Sequence, residues 1–202
     1  MSAAASATRA WRFGEPIDGL RAVLGRGGVL AIPTESSYGL AVDPRDERGV
    51  EAIFRLKGRA VSKALPVVAA DAAALERLGV AAGDPAFGWA RPRWPAALTV
   101  VVGLAAPIAA SAGEATLAVR VPGEPRLREL LASLGPLTAT SANPSGEPAL
   151  VDPHAVAGWF ERAGVDGLVV DGGLLPGGLP STLVAWRDGG PLVLRPGRVW
   201  IA

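Results

Sequence analysis

The segment that most restricts the fold runs from Ala31 to Leu65. It is entered through Gly27-Gly28 and the apolar run Val29-Leu30-Ala31-Ile32. Four apolar residues bounded by turn formers read as a short buried strand. The next residues, Pro33-Thr34-Glu35-Ser36-Ser37-Tyr38-Gly39, read as a polar turn. A helix is predicted over 46–57, because Val50, Ile53, Phe54 and Lys57 recur at i, i+3, i+4 and i+7. Asp46 supplies its N-cap and Gly58 its stop. Lys57 therefore ends an apolar stripe, on a face that should exclude charge. The chain has 20 Lys and Arg together, yet Lys57 and Lys63 are its only lysines. Two compact, mobile ammonium groups so close together in an arginine-using sequence point to a site. A cation capping the negative end of the helix macrodipole is the other reading of Lys57.

The 202 residues suit one large domain better than two small ones. With 50% hydrophobic and 19% charged residues, the chain can bury a core and is too apolar for disorder. A net charge of +1 gives no long-range field for nucleic acid or membrane, so any basic surface must be local. With no cysteine there is no disulfide or thiolate chemistry, which suits a reducing compartment. Met1 to Thr8 lacks the charged and apolar regions of a leader, and no apolar run approaches a membrane span. A soluble, cytoplasmic protein with no membrane partner is expected.

Residues 1–10 read as a frayed tail and 11–202 as the folded domain. Helices are predicted over 16–25, 71–78, 85–91, 125–134 and 153–163, the third and last opened by Asp84-Pro85 and Asp152-Pro153. Strands are predicted over 65–69, 98–102, 116–121, 137–140, 167–171, 182–186 and 191–195. Asp171 to Pro180 is rich in Gly and Pro, and reads as a mobile loop or as a tight series of turns. Alternating helices and strands, with some adjacent strand pairs, give an α/β domain with a mixed, twisted sheet. Gly25-Arg26-Gly27-Gly28 precedes a strand, so it is not a dinucleotide fingerprint, and no Walker A loop is present.

Several polar residues fall where strands should be apolar. In Thr116 to Val121, Leu117, Val119 and Val121 share one face, and Thr116, Ala118 and Arg120 the other. That second face is either solvent-exposed or a ligand wall, with Arg120 suited to a carboxylate or phosphate. Thr138 to Gly146 passes from strand into a turn rich in hydroxyls and an amide. Such a turn has ordinary turn chemistry, but lies where open α/β sheets bind ligands. Ser181-Thr182 opens a late strand and Arg195 closes the last one. His154 sits in a helix start and reads as a surface or capping residue. No Cys/His cluster or carboxylate pair has the spacing of a metal or acid–base site.

Taken together these pieces carry a resemblance. The order is Pro-Thr-Glu-x-x-Tyr-Gly-Leu at 33–40, Lys-Gly-Arg at 57–59, Trp-Pro-x-x-Leu-Thr at 94–99 and Arg-Val-Pro at 120–122. Ser-Ala-Asn-x-Ser-Gly at 141–146, Ser-Thr-Leu-Val at 181–184 and Leu-Arg-Pro-Gly at 194–197 follow. Over residues 15–200 the chain resembles the YrdC/Sua5 family of threonylcarbamoyl-AMP synthases in its short form. That resemblance implies a single-domain YrdC-like fold, a twisted open sheet of parallel and antiparallel strands flanked by helices, with a concave basic cavity. It implies formation of L-threonylcarbamoyladenylate and pyrophosphate from L-threonine, bicarbonate and ATP, for the t6A37 modification of tRNA. By motif, Lys57 and Arg59 would be catalytic and contact the ATP phosphates, with Thr116, Asn143 and Arg195 also at the nucleotide. Thr34, Tyr38, Arg120, Ser141 and Ser181 would hold threonine, Arg120 on its carboxylate. No protein side chain would bind metal, Mg2+ being carried by the ATP phosphates. A tRNA threonylcarbamoyl-transferase complex, tRNA or double-stranded RNA would be further partners.

The chain departs from the pattern at Ser36-Ser37, at Ala60 and at Ala64-Leu65. Val67 and Val68 occupy the region where some members carry a histidine. Three rival readings are a carbamoyl-transfer activity as in HypF, an RNA-binding module of this fold without enzymatic activity, and a silent paralogue. The low net charge speaks against RNA as the main ligand.

Overall fold

The computed structural model describes residues 10–58 and 63–201. Arg59, expected beside Lys57 in the site, lies outside the described residues. Within them the strands are β1 (Ala10–Arg12), β2 (Val29–Pro33), β3 (Tyr38–Ala41), β4 (Val67–Val68), β5 (Leu98–Gly103) and β6 (Thr116–Arg120). They continue with β7 (Leu137–Thr138), β8 (Thr140–Ser141), β9 (Gly167–Asp171), β10 (Thr182–Arg187) and β11 (Gly190–Arg195). The helices are α1 (Asp18–Gly25), α2 (Glu47–Leu56), α3 (Ala72–Leu78), α4 (Pro85–Ala90), α5 (Pro125–Leu134) and α6 (Pro153–Ala163).

Aspartates start the helices. Asp46, Asp71, Asp84 and Asp152 stand one residue before α2, α3, α4 and α6, and each carboxylate accepts a hydrogen bond from a first-turn N–H. Those N–H groups have no partner inside the helix, which is why a short acceptor side chain is favoured there. Glycines end α3 and α6 in the left-handed conformation, Gly79 at φ 116° and Gly164 at φ 62°. His154 is exposed, its backbone N–H bonded to the Asp152 cap.

The strands form two mixed sheets where one was expected. The first has the order β1-β9-β2-β3-β8, the second β11-β10-β5-β6-β4-β7. In the first, β1, β9 and β2 run parallel while β2, β3 and β8 are antiparallel in turn. In the second, β10 is parallel to β5 and β4 to β6, and the other neighbours are antiparallel. The predicted strand over 137–140 is the joint between them. Leu137 and Thr138 pair with β4, then Thr140 and Ser141 pair with β3. Thr138, fully buried, accepts from Val42 N–H at 3.1 Å and donates to Leu40 C=O at 3.2 Å. Its hydroxyl thus ties the end of the first sheet to the second.

Two further expectations are corrected. Ala10 belongs to a strand, not to a tail, because Trp11 next to it buries its ring with Leu20, Val23 and Val170. Tyr38 and Gly39 belong to β3, so the polar turn is only 34–37. Tyr38, Leu40 and Ala41 are buried, and this apolar content outweighs the turn formers before them.

The core has two parts. Leu20 and Val23 of α1 join Leu127, Leu130 and Leu131 of α5 in one cluster. Val50, Ile53 and Phe54 of α2 join α3, α4 and α6 in the other. Thr138→Val keeps the shape but leaves buried Val42 N–H and Leu40 C=O short of a partner, so it should cost about 1–3 kcal/mol. Urea unfolding should show a lower midpoint at unchanged slope.

Candidate functional site

Strand ends and adjoining turns from both sheets enclose a cavity of about 350 Å³. The first sheet contributes Thr34, Tyr38 and Ser141, and the second Thr99, Arg120, Ser181 and Arg195. Six of the ten residues singled out from the sequence therefore line one hollow: Thr34, Tyr38, Arg120, Ser141, Ser181 and Arg195. A larger hollow of about 430 Å³ lies beside Arg26 and Arg55, but Arg26 is already paired there with Asp166. Convergence of polar groups, not volume, marks the site.

Arg120 is buried at the end of β6, with its aliphatic neighbours Leu117 and Val119 committed to the core. Its Nη1 donates to Glu35 Oε2 at 2.8 Å, and the N–H of Gly123 donates to the other carboxylate oxygen at 2.8 Å. Arg195, at the end of β11, donates from Nη2 to Ser181 C=O at 3.0 Å. Burial, and then the charge of Arg120, push the Arg195 guanidinium below its ordinary range. Two guanidinium groups that repel across a partly desolvated hollow are relieved by an anion between them. Ser181 Oγ shares a 2.7 Å hydrogen bond with Thr99 Oγ1.

The face carrying Arg120 continues outwards as a shelf. Ala118 lies opposite Val101, Thr99 opposite Leu183, and Ala185 opposite Leu192, all in register across β6, β5, β10 and β11. Thr116, expected at the nucleotide, shares this face but stands at its far end opposite Gly103, exposed and outside the cavity lining. Small and apolar residues between a distant hydroxyl and two guanidinium groups leave a flat surface open to a planar group.

Lys57 is the C-cap of α2 and 5% exposed. Its Nζ donates to Ser141 C=O at 2.7 Å, Asn143 C=O at 3.0 Å and Asn143 Oδ1 at 3.1 Å. Asn143 is equally committed: Oδ1 also accepts from Ser141 Oγ at 2.6 Å, and Nδ2 donates to Glu147 C=O at 2.6 Å and Pro144 C=O at 3.0 Å. Both residues stand directly behind Ser141 and fix the turn that carries it. Neither lines the cavity.

Tyr38 is among the residues lining the cavity, its side chain is buried in the core, and its hydroxyl serves the loop after β9. It accepts from Gly172 N–H at 3.0 Å and donates to Gly173 C=O at 2.9 Å. Gly177 N–H and Leu175 N–H bond Ser36 C=O and Val151 C=O, so the Gly/Pro-rich stretch is a tied series of turns. Gly172 is required: a Cβ there would stand 2.6 Å from Pro33 Cβ. Gly197 is likewise required where the tail crosses Ser181, since a Cβ would meet Pro180 C=O at 2.4 Å.

Reasoning from the sequence missed Glu35 and Thr99, although both stand in the motifs quoted. Glu35 and Arg120 are 85 residues apart, so no local spacing couples them. The available signal was an acid inside an otherwise uncharged polar turn.

Residues 22–197 match the Sua5/YciO/YrdC family, whose description reads "Telomere recombination". The chain belongs to that family. Among family members, the threonylcarbamoyl-AMP synthase of Bacillus subtilis is 35% identical over 182 residues, covering 88% of this chain and 52% of the relative. The threonylcarbamoyl-AMP synthase of Thiobacillus denitrificans is 38% identical over 175 residues, covering 85% of this chain and 91% of the relative. A crystal structure of Pyrococcus abyssi Sua5 complexed with L-threonine superposes with a TM-score of 0.75 at 32% identity, over 94% of this chain and 57% of that one. The chain thus spans about half the length of the Bacillus and Pyrococcus relatives it matches, and most of the Thiobacillus one.

Lys57→Met removes a donor facing three oxygens, and should lower stability by about 2 kcal/mol. Differential scanning calorimetry should show the loss, with the 141–146 turn gaining hydrogen exchange. Burial pushes the Tyr38 phenol above its ordinary 10.0, Asp171 and Asp152 acting the same way and the Gly172 N–H against. A group whose folded pKa is raised contributes stability that is complete below its unfolded pKa and is lost as pH rises through the folded one. Wild-type protein should therefore lose stability above about pH 10, a dependence that Tyr38→Phe should lack in alkaline denaturation curves.

Proposed function

We propose that this chain is a threonylcarbamoyl-AMP synthase, making L-threonylcarbamoyladenylate and pyrophosphate from L-threonine, bicarbonate and ATP. The observation that carries the reading is the meeting of Arg120 and Arg195 with the hydroxyls of Thr34, Ser141 and Ser181 around one cavity. The relatives' names and the threonine complex of the Pyrococcus protein support it.

In this reading Arg120 grips the threonine carboxylate, and Thr34, Ser141 and Ser181 hold its polar groups, with Tyr38 in the wall. The shelf from Ala118 to Leu192 takes the adenosine, with Thr116 at its outer end and Arg195 on the phosphates. Lys57 and Arg59 complete the phosphate contacts, Lys57 by exchanging one of its acceptors in the 141–143 turn for a phosphate oxygen. Asn143 holds that turn. The threonine amine adds to bicarbonate with loss of water, giving a carbamate. One carbamate oxygen then attacks the α-phosphorus, and the bond to the β-phosphate oxygen breaks to release pyrophosphate. The nucleophile is already anionic, so positioning and neutralisation carry the step and no strong protein base is required. Mg2+ carried on the ATP phosphates would supply charge neutralisation for the leaving pyrophosphate, with no protein side chain needed to hold it. The labile adenylate would pass, in the cytoplasm, to the complex that modifies tRNA.

Purified protein should release pyrophosphate from ATP only when threonine and bicarbonate are both present. Equal release without threonine, in a coupled phosphate assay, would contradict the reading.

A further inference from the structure

The ion pair behind Arg120 has no part in the reaction as derived above. Glu35 sits on the 34–37 turn of the first sheet, and Arg120 ends a strand of the second. Their side chains are only 14% and 10% exposed. A buried carboxylate so close to the grip for a substrate carboxylate is costly for anion binding, because it cancels charge that the ligand would otherwise meet. Its geometry points to what offsets that cost. One oxygen takes Arg120 Nη1 and the other takes Gly123 N–H, both at 2.8 Å, so the carboxylate is fixed at both ends and cannot turn towards a ligand. It holds one edge of the guanidinium against the wall. Arg120 itself lines the cavity. The clamp fixes Arg120 in place beside Arg195, which lines the same cavity.

Resting on the reading of Arg120 as the threonine grip, we propose that Glu35 is a positioning and specificity residue. It orients Arg120 for one planar carboxylate and, by halving the local charge, makes the same hollow poor for small polyanions that carry no amino-acid group. The two effects have opposite signs for two probes. In Glu35→Gln the side-chain shape is kept, but an amide offers one acceptor and one donor pair, so it cannot accept from both Arg120 and Gly123.

Calorimetric titration of the full chain with L-threonine, and separately with inorganic pyrophosphate in the absence of divalent cations, tests this. Glu35→Gln should bind threonine roughly tenfold to a hundredfold more weakly, the usual worth of a hydrogen bond to a charged group. It should bind pyrophosphate more tightly than wild type does. Glu35→Asp, which keeps the charge but cannot span both contacts, should weaken threonine without strengthening pyrophosphate. Weaker binding of both probes by Glu35→Gln would mean a merely structural role, and tighter binding of both a merely electrostatic one. Either result overturns the proposal, as does unchanged threonine affinity. A wild-type protein that binds no threonine would instead overturn the reading of the cavity on which the proposal rests.

Discussion

A strand can leave one sheet for another only where the backbone groups it abandons find new partners. Here Thr138 N–H bonds Val42 C=O and Ala139 N–H bonds Pro66 C=O, and the Thr138 hydroxyl adds a tie to the neighbouring strand. It bonds Val42 N–H and Leu40 C=O at the point where the chain passes from β7 to β8. An unpaired buried amide costs as much as several good contacts return, so this joint fixes how closely the sheets approach. Strand ends and adjoining turns of the two sheets line the cavity. The site is therefore a consequence of sheet geometry, not of an inserted loop.

Polar groups around that space divide into two kinds. Lys57 and Asn143 face inwards to carbonyl and amide oxygens and hold the shape of the 141–146 turn. Arg120 and Arg195 line the cavity. A preorganised site needs both, because a guanidinium serves a developing or bound anion only as well as its own support holds it. The tail beyond β11 gives similar support. Thr182 and Val199 exchange hydrogen bonds, and Arg198 N–H bonds Pro180 C=O, pressing Gly197 against the Ser181 backbone.

Much of this was legible in the sequence because its causes are local. Aspartate caps, the apolar stripe of α2 and the alternation in β6 act over a few residues, and the structure bears out each. The burial of Leu117, Val119 and Val121 against exposed Thr116 is the alternation itself. What was not legible was set at long range. Tyr38-Gly39 looks like the end of a turn until β2 and β8 flank it. Four residues from 137 to 140 look like one strand, since nothing in Thr138-Ala139-Thr140 announces a change of sheet. Lys57 read as an active-site cation or a helix cap. It occupies the C-cap position of α2, and its ammonium bonds the 141–143 turn, a contact 84 residues away. Family motifs bridged that gap for Arg120, Ser141 and Ser181, by recording pairings that spacing cannot show.

The most direct measurement is the crystal structure of this chain grown with L-threonine. The cavity between the sheets should hold the amino acid with its carboxylate within hydrogen-bonding distance of Arg120, while Arg120 keeps its contact with Glu35. Threonine bound elsewhere on the surface, or an Arg120 turned away from it, would contradict the site described here.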